Sequence, residues 1–415
     1  MVRVPTWEWD QSSGFGNNGS CGFMCRQCLG QLDTQVVGLP FFISDHPLYI
    51  ATLHVPEPSE SRDVRAMSNS LPIANSFPIG ILTSSLGNVR IHRLEDRSRE
   101  AADAGFQGVE MTYPELTLSA EQESEGTFDQ KVLRAAHTVK TLLDEYNLKT
   151  VVSQPFDNYE GSTDPVKHAD KIAKLKLWFK LAKIFETDLI QIPAQFGKEP
   201  DTTGDFDKIV NDFVEISEMG LKEDPPIRFA YEACAWSTYH DTWQHIWTVV
   251  DKVDRPNFGL CLDTYHVGAI VWADIMTESG IRPNADDLLK ADLAEFATIV
   301  PPEKIFFVQL SDAERVPGGL KPGHPWYSPD EHPNASWNFN ARIYPCEHDT
   351  FNGYLPVEEI VRSWVYDCGY RGWFTMEIFN RTMADPSPEV PRHYAKRGQA
   401  SWKSSVEVSK SYEVE

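Results

Sequence analysis

The chain has 415 residues and a formal net charge of −23, from 38 Lys and Arg against 61 Asp and Glu. Hydrophobic residues make up 41% and aromatics 12%, a globular composition, and the length suits one large domain or two ordinary ones. The acid excess argues against nucleic acid and anionic membrane surfaces as partners, since both call for a basic face, and no apolar run reaches the roughly 18 residues of a membrane span.

The first segment, Met1 to Ser76, shows no sustained periodicity and is punctuated by Gly, Ser, Asn and Pro. Residues 1–76 are read as an irregular extension, either disordered or lying upstream of the true start, for which Met67 is the candidate. This stretch lacks the uninterrupted apolar core of a secretory signal. The seven cysteines, an odd count, do not suggest a disulfide framework. A soluble cytoplasmic protein is expected, in which the sequons at Asn18, Asn334 and Asn380 carry no weight. Cys21, Cys25 and Cys28 have the C-x3-C-x2-C spacing that holds an iron–sulfur cluster in radical SAM enzymes. They lie far ahead of the first strand, however, and Gln27 stands where those enzymes carry an aromatic. They are read as incidental thiols.

From Ile79 onward, short apolar runs alternate with amphipathic helical stretches. The runs are IGILTSSL, GVEMTY, TVVSQPF, LIQIPA, IRFAYEA, FGLCLDTYH, IFFVQLSD and WFTMEIFN. Near-continuous apolar runs of this length are what parallel strands covered on both faces look like. Helical patterns separate them at 93–104, 129–146, 165–185, 206–219, 243–253, 284–299 and 357–367. Eight βα units in about 300 residues suit an α/β fold of the (β/α)8 TIM-barrel type. A doubly wound sheet fits less well, because SSLGN after the first strand is a poor phosphate loop. The barrel is placed at residues 77–403 and a polar tail at 404–415.

A barrel puts its chemistry where the strands run out. Strand five ends at Glu232, strand six at Asp263, strand seven at Gln309 and strand eight at Glu377. Three carboxylates and an amide on one rim would repel and raise one another's pKa unless a cation joined them. Oxygen-only ligation favours Mg2+ or Mn2+, with Co2+ a further candidate and zinc less suited.

At these residues the sequence resembles the xylose-isomerase-like barrel superfamily, and within it the fungal 3-dehydroshikimate dehydratases of quinate catabolism. The resemblance runs from Ile79 to Lys403. It rests on SQPFDNYEG, DLIQIPAQF, MGLKEDPPIRFAYEACAWSTYHDTW, RPNFGLCLDTYH, GYLPVEEI, EIFNRTM and RGQASW, in that order and spacing. It implies that Glu232, Asp263, Gln309 and Glu377 bind a divalent metal. A Gln at 309, where related isomerases and epimerases often have His, leans toward the dehydratase branch. The implied reaction is loss of water from 3-dehydroshikimate, a small anionic substrate, to give protocatechuate through a metal-stabilised enolate.

His266, three residues beyond Asp263, is the candidate general base or acid, because its pKa lies near working pH. His240 is a poorer second choice. Arg342, in ARIYPCEH, is the candidate for gripping the substrate carboxylate, although it could instead pair with Glu347. Lys321 and Arg315 are alternates. Gln154, Phe156, Tyr159 and Glu160 lie near the rim after strand three, where the two aromatics could wall a flat ring. Glu110 ends strand two and could orient neighbouring groups. Two departures from the family bear on substrate detail: Cys346 stands where Gly is usual, and Thr112–Glu115 replaces a His–acid pair. A homo-oligomer is left open. The competing activity is a sugar isomerase or epimerase on the same barrel. Nuclease chemistry would need a fuller His set and a basic face, and a non-catalytic barrel would have no need of four ligands.

Overall fold

In a computed structural model the described residues are 77–411, with side chains described through residue 404. The extension, Met67, Asn18 and the Cys21, Cys25 and Cys28 group lie outside them. Among the described residues there are ten strands: β1 (Ile79–Leu82), β2 (Gly108–Thr112), β3 (Lys149–Gln154), β4 (Leu189–Pro193), β5 (Arg228–Glu232), β6 (Phe258–Asp263), β7 (Ile305–Leu310), β8 (Asp312–Ala313), β9 (Arg342–Ile343) and β10 (Trp373–Met376). Eight of them close a parallel barrel in the order β1-β10-β7-β6-β5-β4-β3-β2, as the alternation of apolar runs and helical stretches implies. The two short strands β8 and β9 pair antiparallel outside it.

The helical layer comprises α1 (Leu94–Ala104), α2 (Tyr113–Glu121), α3 (Phe128–Glu145), α4 (Pro165–Phe185), α5 (Phe206–Gly220), α6 (Trp243–Val253), α7 (Thr264–Val267), α8 (Ala285–Ile299), α9 (Pro333–Ala341), α10 (His348–Phe351), α11 (Val357–Arg362) and α12 (Val390–Ser411). Local signals set several starts. Thr127 and Gln130 form a capping box on α3, while Asp164, Asp205 and Thr242 cap α4, α5 and α6 with their side chains. Among the described residues, no helix is long and apolar enough to cross a membrane.

Five helices were not expected: the single-turn α7 and α10, and α2, α9 and α12. Helix α2 follows β2 directly, at the departure Thr112–Glu115. There Glu115 takes a bidentate ion pair from Arg97 at 2.5 and 2.8 Å, both side chains being buried, which clamps α2 to α1. Helix α12 continues past Lys403 to Ser411. Helix α9 lies in the long β7–β10 connection, and its Trp337 is fully buried. That connection is thus a packed cap, and it brings β9 beside β8.

Candidate metal centre

Near the C-terminal end of the barrel, β2 to β7 each bear a buried polar residue, and another follows β10 directly. They are Glu110, Gln154, Gln191, Glu232, Asp263, Gln309 and Glu377. Parallel register aligns them: Asp263 lies opposite Gln309, Gln309 opposite Thr375, and Thr112 opposite Gln154. The layer beneath is apolar, formed by Val152, Leu189, Ala230, Cys261 and Phe307. The polar ring therefore sits on a dry floor.

Within the ring the amides serve the carboxylates. Gln154 donates Nε2 to Glu110 at 2.6 Å and to Glu377 at 3.2 Å. Gln309 donates Nε2 to Glu110 at 2.9 Å and Glu377 at 3.0 Å, while its Oε1 accepts from the Cys261 thiol at 3.1 Å. Gln191 donates to Glu232. Four buried carboxylates still exceed what the amides and one arginine can balance. Burial, with the charge of Asp263 added, pushes Glu232 up to about 8. Burial raises Glu110 to about 7 and Glu377 well above the carboxylate range.

Ligand atoms of Glu232, Asp263 and Glu377 all lie within 4.8 Å of one another. This oxygen-only set fits a hard divalent cation. One oxygen of Glu110, Oε1, is buried without a partner among the described residues, a further sign of an oxygen-rich pocket short of positive charge. Gln309 would join as a ligand with its amide turned, so that Oε1 faces the carboxylates. A second group, Glu232, Cys234 and His266, is equally compact. There the backbone N–H of Ala235 donates to His266 Nδ1 at 3.1 Å, so the imidazole proton stands on Nε2. A metal-bound imidazole donates through its other nitrogen, and here that nitrogen accepts. Burial also drives the Cys234 thiol pKa well up, away from the thiolate a metal needs. The oxygen set is therefore the fitting one.

The remaining sequence candidates fall in different places. His266 is at the centre, with Nε2 3.4 Å from Glu232 and 4.0 Å from Asp263, and burial lowers its pKa to about 4. His240 lies behind the wall, on the Tyr231 hydroxyl. Arg342 is fully buried and all its donors are engaged. They go to Ser311 Oγ from Nε and Nη2, Asn338 and Glu377 from Nη1, and Asp263 from Nη2 at 2.5 Å. Its ring of contacts leaves no N–H for an outside carboxylate, and Glu347 is held by Arg397 instead. Asp263 and Glu377 keep it charged against the opposing effect of burial.

Phe156 and Tyr159 are fully buried and face the helical layer. Phe156 meets Trp178, and Tyr159 meets Phe213 and donates its hydroxyl to the Asp212 carbonyl. Their contacts anchor the loop after β3 and do not wall the polar ring. Glu160 likewise accepts from the Gln195 backbone and the Tyr231 hydroxyl. Lys321 is exposed in the turn before Trp326. Three residues that hold the site were missed: Gln191, Ser311 and Asn338. Only Gln191 left a trace in the sequence, as an amide inside the apolar run LIQIPA.

Residues 98–411 match the family described as xylose isomerase-like TIM barrel. A 3-dehydroshikimate dehydratase of Neurospora crassa is 38% identical over 336 residues, covering 79% of this chain and 93% of the relative. One of Pseudomonas putida is 26% identical over 72% of this chain, which spans only 38% of that relative's length. Among solved structures, a xylose isomerase-like TIM barrel/4-hydroxyphenylpyruvate dioxygenase fusion protein superposes with a TM-score of 0.60 at 22% identity, over 81% of this chain and 44% of that one. The IolI protein with a bound zinc atom superposes with a TM-score of 0.57 at 14% identity, over 80% and 98%. At such identities the two structures speak for the fold alone.

Proposed function

The chain belongs to the xylose isomerase-like TIM barrel family, and from that premise we propose that it is a metal-dependent 3-dehydroshikimate dehydratase, converting 3-dehydroshikimate to protocatechuate and water. The observation that carries the reading is the oxygen-only cluster of Glu232, Asp263 and Glu377 at the barrel rim. The identity to the Neurospora crassa dehydratase over nearly all of that relative's length supports the substrate.

The substrate is a β-hydroxy ketone carrying a carboxylate. Removing the proton between carbonyl and hydroxyl places negative charge on the ketone oxygen. The proton taken from carbon leaves with the hydroxyl as one water, and tautomerisation then completes the aromatic ring. A divalent cation, Mg2+ or Mn2+ by the donor set, supplies Lewis-acid stabilisation of that charge when bound. Glu232, Asp263, Glu377 and Gln309 would hold it.

The protein's own groups hold and polarise the site. His266 offers Nε2–H as a neutral hydrogen-bond donor to a substrate oxygen. Arg342 holds Asp263 and Glu377 in place and sets a positive charge in the wall, which favours an anionic substrate against the field of the whole chain. Glu110 fixes the amide of Gln154. Exposed Lys321 adds a cation on the cap side. The proposed setting is the cytoplasm.

The test is incubation of the purified protein with 3-dehydroshikimate and Mg2+ or Mn2+, following protocatechuate by its ultraviolet absorbance. Formation of protocatechuate, lost on chelation, is expected. No product from a metal-loaded protein that instead interconverts ketohexoses would move it to the epimerases.

A further inference from the structure

Gln191 stands third in β4, opposite Ala230, one strand away from Glu232. It is 2% exposed. Its backbone carbonyl accepts from Phe156 N–H at 2.9 Å, which ties this point of the strand to the loop after β3. Its side-chain Nε2 donates to Oε2 of Glu232. Its own Oε1 is buried with no partner among the described residues. An unsatisfied buried acceptor costs about 1–3 kcal/mol, and an apolar residue of similar volume would avoid that cost. The position therefore favours packing less than it favours the amide donor.

The two oxygens of Glu232 are held differently. Oε2 meets Gln191, and Oε1 faces His266 Nε2 at 3.4 Å. Only the Gln191 contact is a hydrogen bond, so it sets how the carboxylate is turned. We propose that Gln191 is a positioning residue of the metal centre: by tying Oε2 of Glu232 it makes Oε1 the oxygen presented to the cation. This rests on Glu232 being a ligand. Partners of ligating carboxylates typically govern metal affinity by about 10–100-fold. Gln154 and Gln309 act on Glu110 and Glu377 from the other side of the ring, so Glu232 depends on Gln191 alone among the ring amides.

The experiment measures Mn2+ binding to the full chain by the electron paramagnetic resonance signal of free Mn2+, for wild type, Gln191→Met, Gln191→Asn and Glu232→Gln. Gln191→Met keeps the volume and removes the donor. Gln191→Asn keeps the amide and withdraws it by one methylene, so it decides the matter if the Met variant does not fold. Both should keep the wild-type melting temperature to within a few degrees and bind Mn2+ about 10–100-fold more weakly. Wild-type affinity in either folded Gln191 variant, with affinity lost in Glu232→Gln, overturns the positioning role. Wild-type affinity in Glu232→Gln overturns the ligand assignment itself, and this inference with it.

Discussion

The backbone N–H of Ala235 donates to Nδ1 of His266 at 3.1 Å. This one bond fixes the tautomer: Nε2 carries the proton, and that nitrogen lies 3.4 Å from Glu232. Protonating the ring would require Nδ1 to give up its partner, and burial, the larger effect, already holds the pKa down to about 4. This arrangement supports the proposed role of His266 as a neutral donor over that of a ligand.

His266→Ala is expected to lower kcat by about 10²–10³-fold, the usual worth of a positioned hydrogen-bond donor. The metal-loaded variant should still be obtainable, since no ligand is removed, so that kcat is compared at saturating metal. Turnover and Mn2+ titration on one preparation check both halves. Loss of metal with little loss of kcat in the loaded enzyme would make the residue a ligand after all.

Metal removal should abolish turnover, and Mg2+ or Mn2+ should restore it. The spectrum with Co2+ is more discriminating. Bound by Glu232, Asp263, Gln309 and Glu377, cobalt should show only weak visible bands. An intense near-ultraviolet sulfur-to-cobalt band would mean that Cys234 has entered the site, against the pKa that burial imposes on it.

Arg342 predicts a linkage between metal and stability. It pairs with Asp263 and Glu377 where no solvent reaches. Arg342→Met leaves both acids buried without their cation, which typically costs about 3–5 kcal/mol. A bound divalent cation supplies charge at the same carboxylates. The melting temperature of the metal-free variant should therefore fall, and Mn2+ should raise it by more than it raises wild type. Equal shifts in the two proteins would show that the arginine and the metal do not share their partners.

How much of this was legible differs between parts. The strand ends were readable because a carboxylate closing an apolar run interrupts the hydrophobic pattern, as Glu232 and Asp263 do. Gln191 sits inside its run, and only the register of β4 against β5 turns it toward Glu232. The fate of Arg342 depends on β9 folding back on β8, which brings it to Asp263 across 79 residues. No local pattern encodes that approach. Phe156 and Tyr159 were misplaced for the same reason: their distance from the rim in sequence was short, but the turn after β3 aims them at Trp178 and Phe213.

Asp312 gives a pH prediction from the cap. It follows Ser311, the anchor of Arg342, and its Oδ1 accepts the backbone N–H groups of Ala313, Tyr354 and Leu355 at 2.6, 3.1 and 2.9 Å. A Cβ on Gly353 would come within 2.5 Å of its Oδ2, so the approach requires that glycine. Burial raises the Asp312 pKa from 3.8 to about 6, more than the three N–H donors and His348 lower it. Between those values the folded chain keeps a proton that the unfolded chain has lost. This group's contribution to stability therefore falls as pH rises from about 4 to about 6 and is flat above. Asp312→Asn keeps the acceptor and removes the charge. At pH 7 the variant should be more stable than wild type by on the order of 1–3 kcal/mol, with the difference vanishing below pH ~4. Urea unfolding at the two pH values tests this. A variant less stable at pH 7 would mean that the ionised carboxylate strengthens the three N–H bonds by more than its burial costs.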